Sequence, residues 1–147
     1  MNWYEVANST VKIAESPAIR HKHLIVRAEI ESGPKTAEDV VSWFKALAEK
    51  IDMEILSGPH VEYVNDVGNK GFTSVAIIKT SHISMHIWDE QSPALVQLDV
   101  YSCKNFNPKD VFDHFKQFDP TVISYKFLDR EHGMHEINLG WNFKRGD

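Results

Sequence analysis

Apolar and polar positions alternate with a period of two through most of this chain, and twice the alternation gives way to a helical spacing. Residues 23–31 read as a strand that is apolar at first and alternating toward its end, closed by Ser32-Gly33-Pro34. Thr36 then caps a helix with Asp39 in its first turn. Val40, Val41, Phe44, Leu47, Ala48 and Ile51 recur on one face of it, with Lys45, Glu49 and Lys50 outside. Residues 53–56 and 60–64 predict two short strands separated by Ser57-Gly58-Pro59. Residues 65–71 form a turn rich in residues that tolerate positive φ. Strands follow over 72–78 and 81–88, with a bend at Lys79-Thr80 between them. After a turn over 89–93 the chain returns as a strand over 94–103. There Val96, Leu98 and Val100 face one way, and Gln97, Asp99, Tyr101 and Cys103 the other. Asn107-Pro108 opens a second helix whose stripe is Val111, Phe112, Phe115 and Phe118, and Asp119-Pro120 stops it. Residues 121–128 make the last strand, and the tail from Asp129 is polar with Trp141 and Phe143 interspersed.

Two amphipathic helices among strands joined mostly by tight turns predict an α+β two-layer sandwich, with a mostly antiparallel sheet and both helices on one face. The other face then needs cover from a partner or from the terminal segments. Residues 1–20 read as an irregular N-terminal extension, partly docked through Trp3 and Tyr4, and residues 21–147 as a single domain. A chain of 147 residues is long enough for one such core.

Composition narrows the classes. Hydrophobic residues make up 42% and charged residues 25%, which are ordinary values for a globular protein. No apolar run approaches the ~20 residues of a membrane span, and the first residues lack the pattern of a signal peptide, so no membrane is expected and the cytoplasm is the expected location. The single cysteine, Cys103, excludes an internal disulfide and agrees with a reducing compartment. The net charge of −5 comes without a Lys/Arg cluster, which argues against nucleic acid as a partner.

The chemistry concentrates in residues 79–90, Lys-Thr-Ser-His-Ile-Ser-Met-His-Ile-Trp-Asp-Glu. Alternation puts Ser81, Ile83, Met85 and Ile87 on one face, and His82, Ser84, His86 and Trp88 on the other. The second face is too polar for a core, and buried polar groups are costly unless they are hydrogen-bonded. His82 and His86 could share a metal on a helix, but four residues of strand span ~13 Å, too far for two ligands of one ion. His21 and His23 are close enough to chelate but lack a third ligand, so no metal is expected. Cys103 reads either as a small buried hydrophobe or as a proton donor or nucleophile beside this stretch. The residues alone support a polar pocket on a strand hairpin with His, Ser and Cys, and no further.

The stretch Ser81 to Glu90 resembles the Ser-His-Ile-Ser-Ile-His-x-Trp-Pro-Glu segment of the bacterial-type S-adenosylmethionine decarboxylase proenzymes. Gly71-Phe72-Thr73 is similar to the Gly-x-Ser/Thr element of that family, and Leu98-Asp99-Val100-Tyr101-Ser102-Cys103 to its Val-Asp-Val-Phe-Thr-Cys strand. Pro108 with the helix after it, His23-Leu24-Ile25 and residues 129–133 extend the resemblance over about residues 21–137. It implies a chain that cuts itself between Thr80 and Ser81. Ser81 attacks the preceding carbonyl and becomes a pyruvoyl group, which forms a Schiff base with the amine of S-adenosylmethionine and accepts electrons as carbon dioxide leaves. Carried over by position, His86 and Thr73 assist processing, Cys103 protonates the carbanion and Glu90 binds the substrate's ribose hydroxyls. Neither metal nor pyridoxal phosphate is implied. A homodimer is, as is a product that feeds spermidine synthesis. The chain departs from the pattern at Thr80, where the family has Glu, and at Asp89, where it has Pro. Two other readings stand beside this one: a pyruvoyl-dependent arginine or ornithine decarboxylase, and an unprocessed homologue that binds a ligand or partner.

Overall fold

The computed structural model describes residues 20–144, so the expected docking of Trp3 and Tyr4 lies outside the described residues. The elements are β1 (Lys22–Ile30), α1 (Ala37–Lys50), β2 (Ile55–Val64), β3 (Gly71–Ile78), β4 (Ser81–Trp88), β5 (Ala94–Ser102), α2 (Pro108–Phe115) with a 3-10 turn (Lys116–Phe118), β6 (Pro120–Asp129), β7 (His135–Glu136) and β8 (Phe143–Lys144). One sheet has the order β2-β3-β4-β5-β1-β6-β7, with β8 also on β6, and every pairing is antiparallel. This is the expected α+β arrangement.

Each helix starts where its sequence signal lies. Thr36 and Asp39 form a reciprocal capping box, in which the Asp39 N–H donates to Thr36 Oγ1 and the Thr36 N–H to Asp39 Oδ2, both at 3.1 Å. Asn107 Oδ1 accepts from the Lys109 N–H at 2.9 Å, with Pro108 as the first helical residue. The apolar face of α1 includes Trp43, buried at 3% exposure, which the expected stripe omitted, whereas Val41 is only half-buried. Trp43 lies against Phe118 of the 3-10 turn and His114 of α2, with ring centroids 5.1 and 4.8 Å away. It therefore joins the two helices.

The helices cover the side of the sheet built from Leu24, Val26 and Ala28 of β1, Ile83, Met85 and Ile87 of β4, Val96, Leu98 and Val100 of β5, and Phe127 of β6. Burying each of these side chains larger than alanine stabilises the fold by about 1.5–3 kcal/mol. The opposite side carries the alternate residues, among them His82, Ser84, His86 and Trp88, and no described element covers it.

Two expectations change. Residues 53–56 and 60–64 are not two strands: Ile55–Val64 is one, and the pairing with β3 shifts register around Ser57 and His60. Gly58-Pro59 is absorbed as a bulge and not as a turn, as glycine and proline allow at a sheet margin. The tail is also more structured than its polarity suggested. It adds β7 and β8 beside β6, and Trp141 stacks on Phe112 at 4.3 Å while its carbonyl accepts from Tyr125 Oη at 2.7 Å.

Candidate active site

β4 lies between β3 and β5, so the sheet brings three of the chemistry-bearing segments side by side. At its start, Ser81 pairs with Ile78 of β3 and Ser102 of β5. Ser81 has a φ of 142°, in a region that L residues rarely adopt and that costs ~1–3 kcal/mol. The carbonyl of the preceding residue, Thr80, accepts a hydrogen bond from the Cys103 N–H at 2.8 Å. Ser81, Thr80 and Cys103 therefore meet at one corner, as the strand register requires.

The Thr80 side chain is anchored there too. Its Oγ1 lies 2.9 Å from Ser102 Oγ and 3.1 Å from Met53 Sδ. Next in the same row of the sheet come Lys22 of β1, in register with Ser102, and Asp129 of β6, in register with Lys22. Lys22 and Asp129 are 0% and 1% exposed, with Nζ and Oδ1 3.7 Å apart. Burial pulls the Lys22 ammonium below its usual range, against the opposing charges of Asp129 and Glu131. Burial acts to raise the Asp129 carboxyl, but the Glu131 N–H, the Lys22 charge and His132 hold it below the usual range. The apolar side of the sheet thus ends in a polar row: Ser81, Ser102, Lys22, Asp129.

A second group lies further along the sheet. Thr73 of β3 is directly opposite His86 of β4, and Thr73 Oγ1 is 3.4 Å from His86 Nδ1. Trp88 stacks against His86 with centroids 5.9 Å apart, and its Nε1–H donates to Asn69 Oδ1 at 2.9 Å. Both carboxylate oxygens of Glu90 accept from the Gly68 N–H, at 3.0 and 2.9 Å. Gly71 makes the close β3–β4 approach possible. Its φ is 148°, and a Cβ there would stand 1.6 Å from the Ile87 carbonyl oxygen.

The chain does not bring these two groups together. Ser81 and His86 are five strand residues apart, roughly 16 Å, with side chains on opposite faces by alternation. Glu90 lies roughly 25–30 Å from Ser81 along the same strand direction.

A third cluster, which the sequence reading missed, occupies the open face beside Ser81. Asp99 Oδ1 accepts from His23 Nε2 at 2.7 Å and lies 3.3 Å from His82 Nε2. Arg130 donates to His23 Nδ1 at 3.2 Å and lies 4.1 Å over the Tyr101 ring, and the Tyr101 hydroxyl is 3.1 Å from His21 Nδ1. Arginine can only donate, so His23 carries its proton on Nε2 toward Asp99. Partial burial acts to raise the Asp99 carboxyl, yet its interactions with His23, the hydrogen bond first, and then with His82 keep it below the ordinary carboxylate range. The signal for this cluster was present in the alternation, since His21, His23, Asp99 and Tyr101 all fall on one face. The adjacency of β1 to β5, however, is a matter of topology.

A family model described as S-adenosylmethionine decarboxylase matches residues 31–131. The chain belongs to the S-adenosylmethionine decarboxylase family. Among curated relatives, an S-adenosylmethionine decarboxylase proenzyme of Clostridium botulinum (strain Hall) is 27% identical over 84 residues, 56% of this chain and 67% of that protein. Another, from Pyrobaculum islandicum, is 41% identical over 64 residues, 42% of this chain and 50% of that one. The match thus spans between half and two thirds of these decarboxylase-family relatives. The crystal structure of the adenosylmethionine decarboxylase from Aquifex aeolicus superposes with a TM-score of 0.59 at 22% identity, covering 81% of this chain and 95% of that one. That likeness shows the family's fold in this chain.

Proposed function

We propose that this chain is a self-processing proenzyme that cuts itself between Thr80 and Ser81 and then decarboxylates S-adenosylmethionine, supplying the decarboxylated product for spermidine synthesis. The observation that carries the reading is the corner at Ser81. A strained φ at the attacking residue and a main-chain donor on the carbonyl to be attacked occur at the same peptide bond. Ser81 Oγ adds to the Thr80 carbonyl carbon, the C–N bond breaks, and the hydroxyl proton passes to the released nitrogen, leaving an ester. Loss of the Ser81 Cα proton and of the ester oxygen frees Thr80 as a carboxylate. Hydrolysis with loss of ammonia then leaves the new terminus of 81–147 as a pyruvoyl group. The Cys103 N–H is aimed at the oxygen that gains charge in the first step, the arrangement that lowers barriers to acyl transfer. Strain at Ser81 is released when the peptide becomes an ester.

The residues present fit a pyruvoyl group formed from Ser81, which supplies an electron-accepting carbonyl for decarboxylation. Cys103, at the same corner, is the proton donor to the carbanion. His86 takes the Ser81 Cα proton, and Thr73 orients His86 across the β3–β4 ladder. Glu90 binds the ribose hydroxyls, exchanging the Gly68 N–H for substrate donors.

These assignments require two copies of the chain. Within one copy His86 and Glu90 are too far from Ser81, so each site combines Ser81 and Cys103 of one protomer with Thr73, His86 and Glu90 of another. A second copy that brings these three residues to the Ser81 corner supplies that combination. The open sheet face exposes Ile25, Val75 and Ile77 at 39–49%, apolar surface that a homodimer covers. The third group of residues on that face, around Asp99, is then at the interface.

Denaturing mass spectrometry tests the reading. Fragments 1–80 and 81–147 should appear on incubation, the latter blocked by pyruvate. A single species at 16.9 kDa after prolonged incubation refutes processing and favours an unprocessed binding protein, the reading that the hydroxyl at Thr80 supports. Given cutting, carbon dioxide release from S-adenosylmethionine and not from arginine or ornithine tests the substrate. Ser81→Ala should stay uncut.

A further inference from the structure

We propose that Ser102 is a positioning residue for self-cleavage, acting through the Thr80 hydroxyl. The inference rests on the self-processing reading above and adds to it the device that orients the bond to be cut.

Four groups form a hydrogen-bonded line whose direction is fixed by its ends. The Lys104 N–H, which can only donate, gives to Ser102 Oγ at 2.9 Å. Ser102 Oγ–H gives to Thr80 Oγ1 at 2.9 Å, and Thr80 Oγ1–H to Met53 Sδ at 3.1 Å. A thioether can only accept, so the Thr80 proton points to Met53 and its oxygen must receive from Ser102. Ser102 also lies 3.5 Å from Met53 Sδ, a longer and weaker alternative for the same proton. Ser102 is 0% exposed and Met53 7%, so the Ser102 hydroxyl and the sulfur that ends the line are shielded from water, while Thr80 between them is half-buried.

The line matters because of which atom it fixes. Threonine is stiff at χ1, so holding Oγ1 holds Cα. The Thr80 carbonyl is separately held by the Cys103 N–H. Two consecutive residues of one strand end therefore grip a single residue, Ser102 by its side chain and Cys103 by its main chain. Between them they set the plane of the Thr80–Ser81 peptide against the Ser81 hydroxyl. The grip is itself braced: Lys104 Nζ bonds the Asp52 carbonyl and carboxylate at 2.8 and 2.6 Å, next to Met53. On its other side Ser102 is in register with buried Lys22. A polar side chain at the end of a strand has a plain structural use, but that use does not call for a line of fixed direction that passes through the residue at the bond to be cut. Small displacements of a reacting group are costly in rate.

The test compares cleavage rates of purified full-length chains by denaturing mass spectrometry, with melting temperature measured in parallel. Hydroxylamine, which cuts the ester form, reports the acyl shift separately. Ser102→Ala is expected to slow cleavage and hydroxylamine-dependent cutting by about ten-fold or more, the size expected for one lost buried hydrogen bond. Ser102→Thr, which keeps the hydroxyl, should restore the rate. Thr80→Val should slow cleavage as much as Ser102→Ala, and the double variant should be no slower than either, because both break the same line. Thr80→Val also serves should Ser102→Ala fail to fold. Wild-type rates in folded Ser102→Ala or in Thr80→Val overturn the inference while leaving self-processing intact. An uncut wild-type chain overturns self-processing itself, and this inference with it.

Discussion

Two variants that are each inert should rescue one another. On the proposed mechanism, Ser81→Ala removes the residue that is cut, and His86→Ala removes the base that serves it. If one chain supplied both groups, mixing the variants would restore nothing. Five strand residues separate them by roughly 16 Å, far beyond the ~3 Å that proton transfer needs. In a dimer with shared sites, a Ser81→Ala chain lends its intact His86 to the Ser81 of a His86→Ala partner. Random pairing of the two variants in equal amounts puts about half of the His86→Ala chains in mixed dimers of two-fold symmetry. About half of that variant should therefore be cut, and each mixed dimer carries one complete site. Co-expression with distinguishable tags, followed by denaturing mass spectrometry, reads the cut fraction chain by chain. No cutting of either variant, with mixed dimers demonstrated by double-tag purification, would falsify the shared site. Efficient cutting of His86→Ala alone would remove His86 from processing.

Other expectations follow from particular contacts. Gly71→Ala should destabilise the fold by ~3 kcal/mol or more, because the new Cβ meets the Ile87 carbonyl and the φ of 148° is strained for alanine; thermal or urea unfolding measures this. Cys103→Ala keeps the N–H on the Thr80 carbonyl but loses the thiol, so the chain should still be cut while decarboxylation falls by ~10²–10⁴; equal loss of both would assign the thiol to processing. Burial, opposed by its hydrogen bond to the Trp43 carbonyl, holds the His114 pKa below its ordinary value of 6.5. The unfolded chain then binds more protons than the folded one below that pH, so stability should decline as pH falls from about 6.5 toward the folded value. His114→Gln should flatten urea-melt midpoints across that window. Asp99 is held below the usual carboxylate range, so its contribution is present above ~4 and lost as pH falls through its folded value. Asp99→Asn should weaken the acid limb of the same curve.

Most of the sheet was legible because its strands are half-buried. Ile83, Met85 and Ile87 are in the core and His82, Ser84 and His86 are not, as a period of two requires. β2 was misread because Gly58-Pro59 looks like a break, and only pairing with a neighbour shows that a strand continues through it. Trp43 was left out of the core because its packing depends on α2, which arrives seventy residues later through tertiary contact. Of the candidate site, the resemblance supplied the residue types and the roles it implies; alternation already put Ser81 and His86 on opposite faces, and the unbroken pairing of β4 with β3 and β5 fixes them five residues apart on one strand. The Asp99 cluster was hidden because it needs β1 beside β5, a neighbour relation with no local signal. The anchoring of Thr80 by Ser102 and Met53 joins three distant segments, which no local pattern encodes.

The position of β1 has a consequence for a cut chain. β1 belongs to the 1–80 fragment, yet it lies between β5 and β6, both of which belong to 81–147. β3 and β4 tie the same two fragments a third time. The products of cutting are thus interleaved like the fingers of two hands, and neither can depart unless three ladders are torn open together. Cutting as proposed would change the chemistry at one corner without loosening the domain. What it would change is the molecularity of unfolding: an intact protomer unfolds to one chain, whereas a nicked protomer unfolds into two pieces that must find each other again to refold.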